Sequence, residues 1–319
     1  MHKKALRGGL KRPICARFNS RRQMDKTQIL TYYKENMSIQ DIEINRIPKL
    51  EDGVLIACFE GWGNALEVSR GIGQFLIRKL EAQKFGTLKA DPFYLFKERR
   101  PVVKIEEGIL EKLDLPGCDL YVATKERVGR DIIILSGDEP DLQWFRFTQN
   151  ILSLCVEAGI KTVVSCGGML DNILHTDRMI SVVASSKEII ATLPGKVASL
   201  ITYMGQSSIH STIHFEAKKQ GLHCVGLYCH CPYYIQGITH FGLLAYLGNF
   251  LSEWVRFDLN TEELSVAWKD ASKQIEEAIK NNPELKEIIN ELRKSRTRGT
   301  VGGASKNDKV IKLEDYFRI

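Results

Sequence analysis

The sequence predicts an α/β protein built as a three-layer αβα sandwich. Three observations carry that reading. Short apolar runs end repeatedly in polar, glycine-containing turns, and each turn is followed by a helical pattern. The run Ile132-Ile133-Ile134-Leu135 is continuously apolar, as in a strand covered on both faces. No internal repeat or heptad array competes with them.

The first such unit spans residues 54–80. Val54-Leu55-Ile56-Ala57-Cys58-Phe59 reads as a strand and Glu60-Gly61-Trp62-Gly63 as a turn. Ala65, Leu66, Val68, Ile72, Phe75, Leu76 and Leu80 then recur at helical spacing, with Asn64 placed to cap the helix. Ligands of open α/β sheets bind where strand ends meet helix starts, which makes Glu60, Trp62 and Asn64 candidate site residues. Glycine also serves turn geometry alone. Leu66 stands where a dinucleotide fingerprint has its third glycine, and no Gly-Lys-Ser/Thr phosphate loop occurs.

Farther along, the stretch 99–105 suggests an edge strand behind Pro101, and residues 120–124 and 131–136 suggest an antiparallel pair. The turn Ser136-Gly137-Asp138-Glu139-Pro140 leads into an amphipathic helix that stops at Gly159. Residues 162–166 form the next central strand, residues 167–178 a long polar loop, and residues 180–184 another strand. Tyr203-Met204-Gly205-Gln206-Ser207-Ser208-Ile209 opens a helix, and Cys224 to Cys229 reads as a strand ending at His230-Cys231-Pro232. A helix over 239–255 closes the core, and two charged helices, 261–281 and 283–296, read as a helical hairpin.

The expected organisation is a basic tail (1–23), a core domain (24–258), the hairpin (259–296) and a flexible C-terminal tail (297–319). The chain has 319 residues, 44% hydrophobic and 26% charged, which suits a globular protein with a sizeable core. The net charge of +6 sits in residues 1–23, which hold eight basic residues and no acid; the rest has 37 basic against 39 acidic. That tail fits a nucleic-acid-binding arm, a transit peptide or sequence upstream of a later start at Met24 or Met37. Disorder without specific function is the preferred reading, and nucleic acid is not expected to contact the rest. The apolar stretches are too short to span a bilayer. Eight scattered cysteines, with no secretory signal, read as reduced, buried thiols in a cytoplasmic protein.

Three chemistries are open to these residue types. His223, Cys224, Cys229, His230 and Cys231 crowd together, but without knuckle spacing or a His-Glu-x-x-His helix, so no metal is expected. Cys166 lacks a nucleophile-elbow context and reads as packing. A polar cleft of Glu60, Asn64, Glu139, His175, Arg178, Tyr203 and His230 forms if the strands run parallel, since all seven then share one end of the sheet. Such a cleft binds an anion or moves a proton; the same residues equally cap helices and pair with each other.

Phe59-Glu60-Gly61-Trp62-Gly63-Asn64-Ala65 resembles the Phe-Glu-Gly-Trp-Asn-Asp-Ala signature of the proteasome assembly chaperone 2 family. Gly137-Asp138-Glu139-Pro140 with Trp144 and Phe147 is similar to that family's Gly-x-Glu-Pro turn, and residues 167–178, 203–209 and 232–234 match further segments in outline. The resemblance covers residues 50–255. It implies a nucleoside-phosphorylase-like sandwich and a non-catalytic assembly chaperone or scaffold acting through protein contacts. It further implies protein partners such as proteasome-like subunits, self-association and no cofactor. The alternative it leaves is an enzyme acting on a nucleoside or phosphate-bearing molecule, or an ATP-dependent ligase, as some members are labelled. Departures are the missing Asp after Asn64, Gln206-Ser207 for Pro-Thr, and a C-terminus, Phe317-Arg318-Ile319, without the hydrophobic–Tyr–any-residue ending that some chaperones insert into proteasome pockets. The apolar end on its tether suggests a docking peptide or self-packing.

Overall fold

The computed structural model describes residues 39–297 apart from Asn45 and residues 196–198. The basic tail and the proposed C-terminal docking peptide lie outside them. The elements run β1 (Ile42–Ile44), β2 (Gly53–Glu60), α1 (Val68–Lys79), β3 (Gln83–Leu88), β4 (Val102–Glu106), β5 (Ile109–Asp114), β6 (Cys118–Ala123), α2 (Lys125–Val128) and β7 (Ile132–Asp138). They continue with α3 (Trp144–Ala158), β8 (Ile160–Asp171), β9 (Ile180–Ala184), α4 (Lys187–Ala191), β10 (Ser199–Leu200) and α5 (Ile209–Lys219). The last are β11 (His223–Pro232), α6 (Phe241–Val255), α7 (Glu262–Asn281) and α8 (Pro283–Thr297).

A nine-stranded sheet of order β1-β3-β6-β7-β2-β8-β11-β9-β10 forms the centre. β7, β2, β8 and β11 are parallel, so their C-terminal ends meet at one edge of the sheet. The expected β6–β7 pair is antiparallel, Leu120 facing Leu135. Alternation along β2 divides the core. Val54, Ile56 and Cys58 join Ile72, Leu76 and Leu247 on one face, with Ile275, Leu285 and Ile289 of α7 and α8 in the same cluster. Leu55, Ala57 and Phe59 join Phe147, Ile151 and Ile213 of α3 and α5 on the other. Helices therefore flank both faces of a sheet whose central strands bury side chains on both sides. The seven described cysteines are all buried and unbridged, and no described helix is long and apolar enough to cross a membrane.

Several local expectations change. Residues 102–105 belong to a separate two-stranded hairpin, β4–β5, and not to an edge of the main sheet. β8 runs on through Gly167, Gly168 and Leu170, where the glycine pair suggested a loop. The reason is close approach: a Cβ on Gly168 would sit 2.6 Å from the Ala65 carbonyl oxygen, and Gly168 N–H donates to Gly63 O at 2.7 Å. α1 starts three residues later than its pattern suggests, because Leu66 and Glu67 take left-handed conformations (φ 51° and 57°). Asn64 is not at the N-cap position of α1, which Glu67 takes, but its Oδ1 accepts the first-turn N–H of Arg70 at 3.0 Å. α5 begins at Ile209, after the stretch from Tyr203 that suggested its start.

Candidate functional site

The parallel strand ends bring Glu60, Trp62, Asn64 and Glu139 together. Glu139 follows β7 immediately, and its N–H donates to Glu60 O at 2.8 Å. Its buried carboxylate is fully engaged: Oε2 accepts the Trp62 N–H and Oε1 the Ile209 N–H, both at 2.8 Å. The second donor is the first residue of α5, where a carboxylate is favoured by free N–H groups and the helix dipole. Only glycine fits at 61, since a Cβ there would lie 2.1 Å from Glu139 Oε2. Glu60 pairs with Arg70 at 2.7 Å on the surface.

Beside the Glu60–Arg70 ion pair, this edge presents large apolar and aromatic side chains outward. Trp62 is 64% exposed, and on the loop before α5 Tyr203 is 65% and Met204 99% exposed. The Tyr203 hydroxyl donates to Gln206 O at 2.9 Å. Glu139 thus ties the turn carrying Trp62 to the helix start at which the Tyr203–Met204 loop ends.

His175 and Arg178 belong to a second cluster, packed with α6 and α7. His175 N–H donates to the Tyr234 hydroxyl at 2.7 Å, and its Nδ1 lies 2.9 Å from the same oxygen. Burial lowers the pKa of His175, with Arg178 acting in the same direction against an opposing Glu276. The Arg178 guanidinium donates to the carbonyls of His175 and Asp177 at 3.0 and 2.7 Å and lies 4.7 Å from the Trp268 ring. His240 stacks on Trp268 at 4.0 Å, donates through Nε2 to His175 O at 3.1 Å and accepts Leu243 N–H at Nδ1. Burial, with Arg178 nearby, pushes its pKa down to about 3.

His230 forms a third group, with two residues that the sequence did not single out. Its Nδ1 lies 2.6 Å from Asp171 Oδ2 and its Nε2 2.6 Å from Ser181 Oγ. Burial alone would raise the Asp171 pKa, but the hydrogen bonds from His230 and from Asn172 N–H hold it below the usual carboxylate range. The order Ser–His–Asp is that of a hydrolytic triad. Ser181 is completely buried, however, so no substrate reaches its hydroxyl. No sequence pattern announces this trio, because it arises from the flanking of β11 by β8 and β9. Among the described residues, no three His, Cys, Asp or Glu side chains converge into a metal-binding group.

A family model described as the PAC2 family matches residues 58–279. The chain belongs to the PAC2 family. The matched stretch takes in most of α7, and with it Trp268, beyond the end of the motifs noted in the sequence. No curated protein matches this PAC2 chain. Solved structures that resemble it include a PAC2 family protein from Streptomyces avermitilis, 24% identical, covering 75% of this chain and 100% of that one with a TM-score of 0.67. A proteasome-assembly chaperone homologue from Mycobacterium tuberculosis is 21% identical over 74% and 99% of the two chains, TM-score 0.67. An archaeal proteasome activator from Pyrococcus furiosus is 16% identical over 74% and 97%, TM-score 0.60. At these identities the likeness is one of fold.

Proposed function

We propose that this PAC2 protein is a non-catalytic assembly chaperone or scaffold that works through protein–protein contacts at the C-terminal edge of its parallel strands. The observation that carries this reading is the division of labour around Glu139. The carboxylate at the heart of the candidate site is consumed by the two backbone N–H groups of Trp62 and Ile209. Beside the exposed Glu60–Arg70 ion pair, the large side chains offered to the outside are Trp62, Tyr203 and Met204. Aromatic and methionine side chains are those enriched at protein interfaces. The reading includes a cytoplasmic location, self-association, and partners resembling proteasome subunits, on the strength of the chaperone and activator described for similar folds.

The test is association of the full chain with purified proteasome α-type subunits of its own organism, followed by size-exclusion chromatography with light scattering. Co-migration that is weakened by Trp62→Ala combined with Met204→Ser, at unchanged melting temperature, supports the proposal. Absence of association, together with a thermal shift by nucleoside, phosphate or ATP–magnesium, would replace it with an enzyme on a phosphorylase-like fold.

A further inference from the structure

The β4–β5 hairpin stands apart from the main sheet and is exposed along its whole length. Its loop is Glu107-Gly108, both at positive φ (49° and 82°), closing between the paired residues Glu106 and Ile109. A register shift between Lys104 and Ile105 leaves Glu111 unmatched on β5. Without that bulge, Leu110 and Leu113 would fall on opposite faces. With it, Leu110 pairs with Ile105 and Leu113 with Val103, so these four apolar side chains share one face.

The other face carries Lys104, Glu106, Lys112 and Asp114, neutral overall, with Val102 and Ile109 at its two ends. Lys104 pairs with Glu106 at 2.6 Å and Lys112 with Asp114 at 2.8 Å. An isolated two-stranded hairpin is marginal in water, whereas a sheet of three or more strands with one apolar face is not. Each strand thus repeats the order lysine, apolar residue, acid: Lys104-Ile105-Glu106 and Lys112-Leu113-Asp114.

That order is complementary to itself when a strand meets its own copy antiparallel. Glu106 is the bonded partner of Ile109 across the two-residue loop, so the N–H and C=O of Ile105 point away from β5. Among the described residues, this outer edge of β4 pairs with no strand.

We propose that the hairpin is a self-association element in which β4 of one chain pairs with β4 of a second copy, antiparallel and centred on Ile105. Each Lys104 then faces the other copy's Glu106, the two Ile105 residues exchange backbone hydrogen bonds, and the two hairpins become a four-stranded sheet with one apolar face and one that carries all the charged pairs. The occupant is a second copy because the edge offers both charges in the order that a two-fold axis matches. This deepens the self-association in the proposed function and rests on it.

The experiment uses full-length chains and measures mass by light scattering across a dilution series. Wild type is expected to self-associate. Lys104→Glu and Glu106→Lys each place two like-charged pairs across the interface, and each alone should raise the dissociation constant about tenfold or more. Mixing the two variants makes every facing pair opposite in charge while leaving the intrachain Lys104–Glu106 pair broken in both. The mixture should therefore recover the wild-type mass. A monomeric wild type overturns self-association and this inference together. Wild-type mass in both single variants overturns the hairpin alone, and means that something else covers its apolar face. Variants that dissociate and fail to recover on mixing also overturn it, since the loss then comes from the hairpin's own fold.

Discussion

Glu139 Oε2 accepts the backbone N–H of Trp62 at 2.8 Å, across 77 residues of sequence. With Ile209 N–H on its other oxygen, the side chain joins the ends of β2 and β7 to the start of α5. Glu139→Ala leaves two N–H groups without their acceptor, and hydrogen bonds to a charged partner contribute about 1.5–3 kcal/mol each. We expect a loss of about 3–5 kcal/mol in urea unfolding. Glu139→Gln, which keeps one acceptor oxygen, should lose about half as much. Equal losses in the two variants would mean that the paired acceptor geometry is not what matters.

The two glycines of the Gly61-Trp62-Gly63 turn should respond in opposite ways to alanine. At 61 the new methyl meets Glu139 Oε2 at 2.1 Å, so the turn or the carboxylate must move, and overpacking of this kind costs about 1–3 kcal/mol. At 63 the nearest atom to the methyl is 3.7 Å away, an ordinary contact. Gly63→Ala should be neutral or slightly stabilising through its effect on the unfolded chain. Thermal melts of the two variants, side by side, check the contrast.

Stability should fall steeply below neutral pH. Burial pushes His210 and His240 down to about 3 and His214 to about 4. Because the folded values lie below the unfolded value of about 6.5, the unfolded chain binds more protons as pH drops. The contribution is intact above about 6.5 and is lost progressively toward 4 and 3, by up to ~1.4 kcal/mol per pH unit for each histidine. His210, whose two ring nitrogens have no hydrogen-bond partner among the described residues, offers the clean test. His210→Leu should flatten the dependence of urea midpoints between pH 7 and 5; an unchanged slope would count against the buried-histidine explanation.

The trio Ser181, His230 and Asp171 should hold structure and perform no hydrolysis. Wild type and Ser181→Ala are expected to cleave p-nitrophenyl esters at the same background rate, because Ser181 is sealed from solvent. Asp171→Ala, by contrast, removes the hydrogen-bond partner of His230 Nδ1 and should cost about 1.5–3 kcal/mol in unfolding experiments. Esterase activity that disappears in Ser181→Ala would reverse this reading.

The legible parts of the fold were those written locally. Strand, turn and helix follow one another at residues 54–80 and 131–158 with apolar spacing and glycine stops, and both units are present. The candidate site was legible as a set of strand-end residues, because parallel order alone collects them. How they divide was not. Glu139 finds its donors 77 and 70 residues away, and His230 finds Asp171 and Ser181 on two different neighbouring strands. Gly167-Gly168 read as a loop because its cause, the approach of the Ala65 carbonyl, lies a hundred residues upstream. The hairpin was missed at β5, although Glu107-Gly108 between two lysine–apolar–acid triplets carries the turn signal.

The buried thiols give the molecule a built-in clock for its own breathing. Cys58, Cys118, Cys155, Cys166, Cys224, Cys229 and Cys231 all lie inside the core. Burial pushes Cys155 and Cys229 far above the ordinary thiol range and Cys224 up to about 12. An alkylating reagent attacks the thiolate, so these positions stay dark until the sheet opens around them. Their seven labelling rates, resolved by mass spectrometry, would map which strands part first and which separate only with the whole fold.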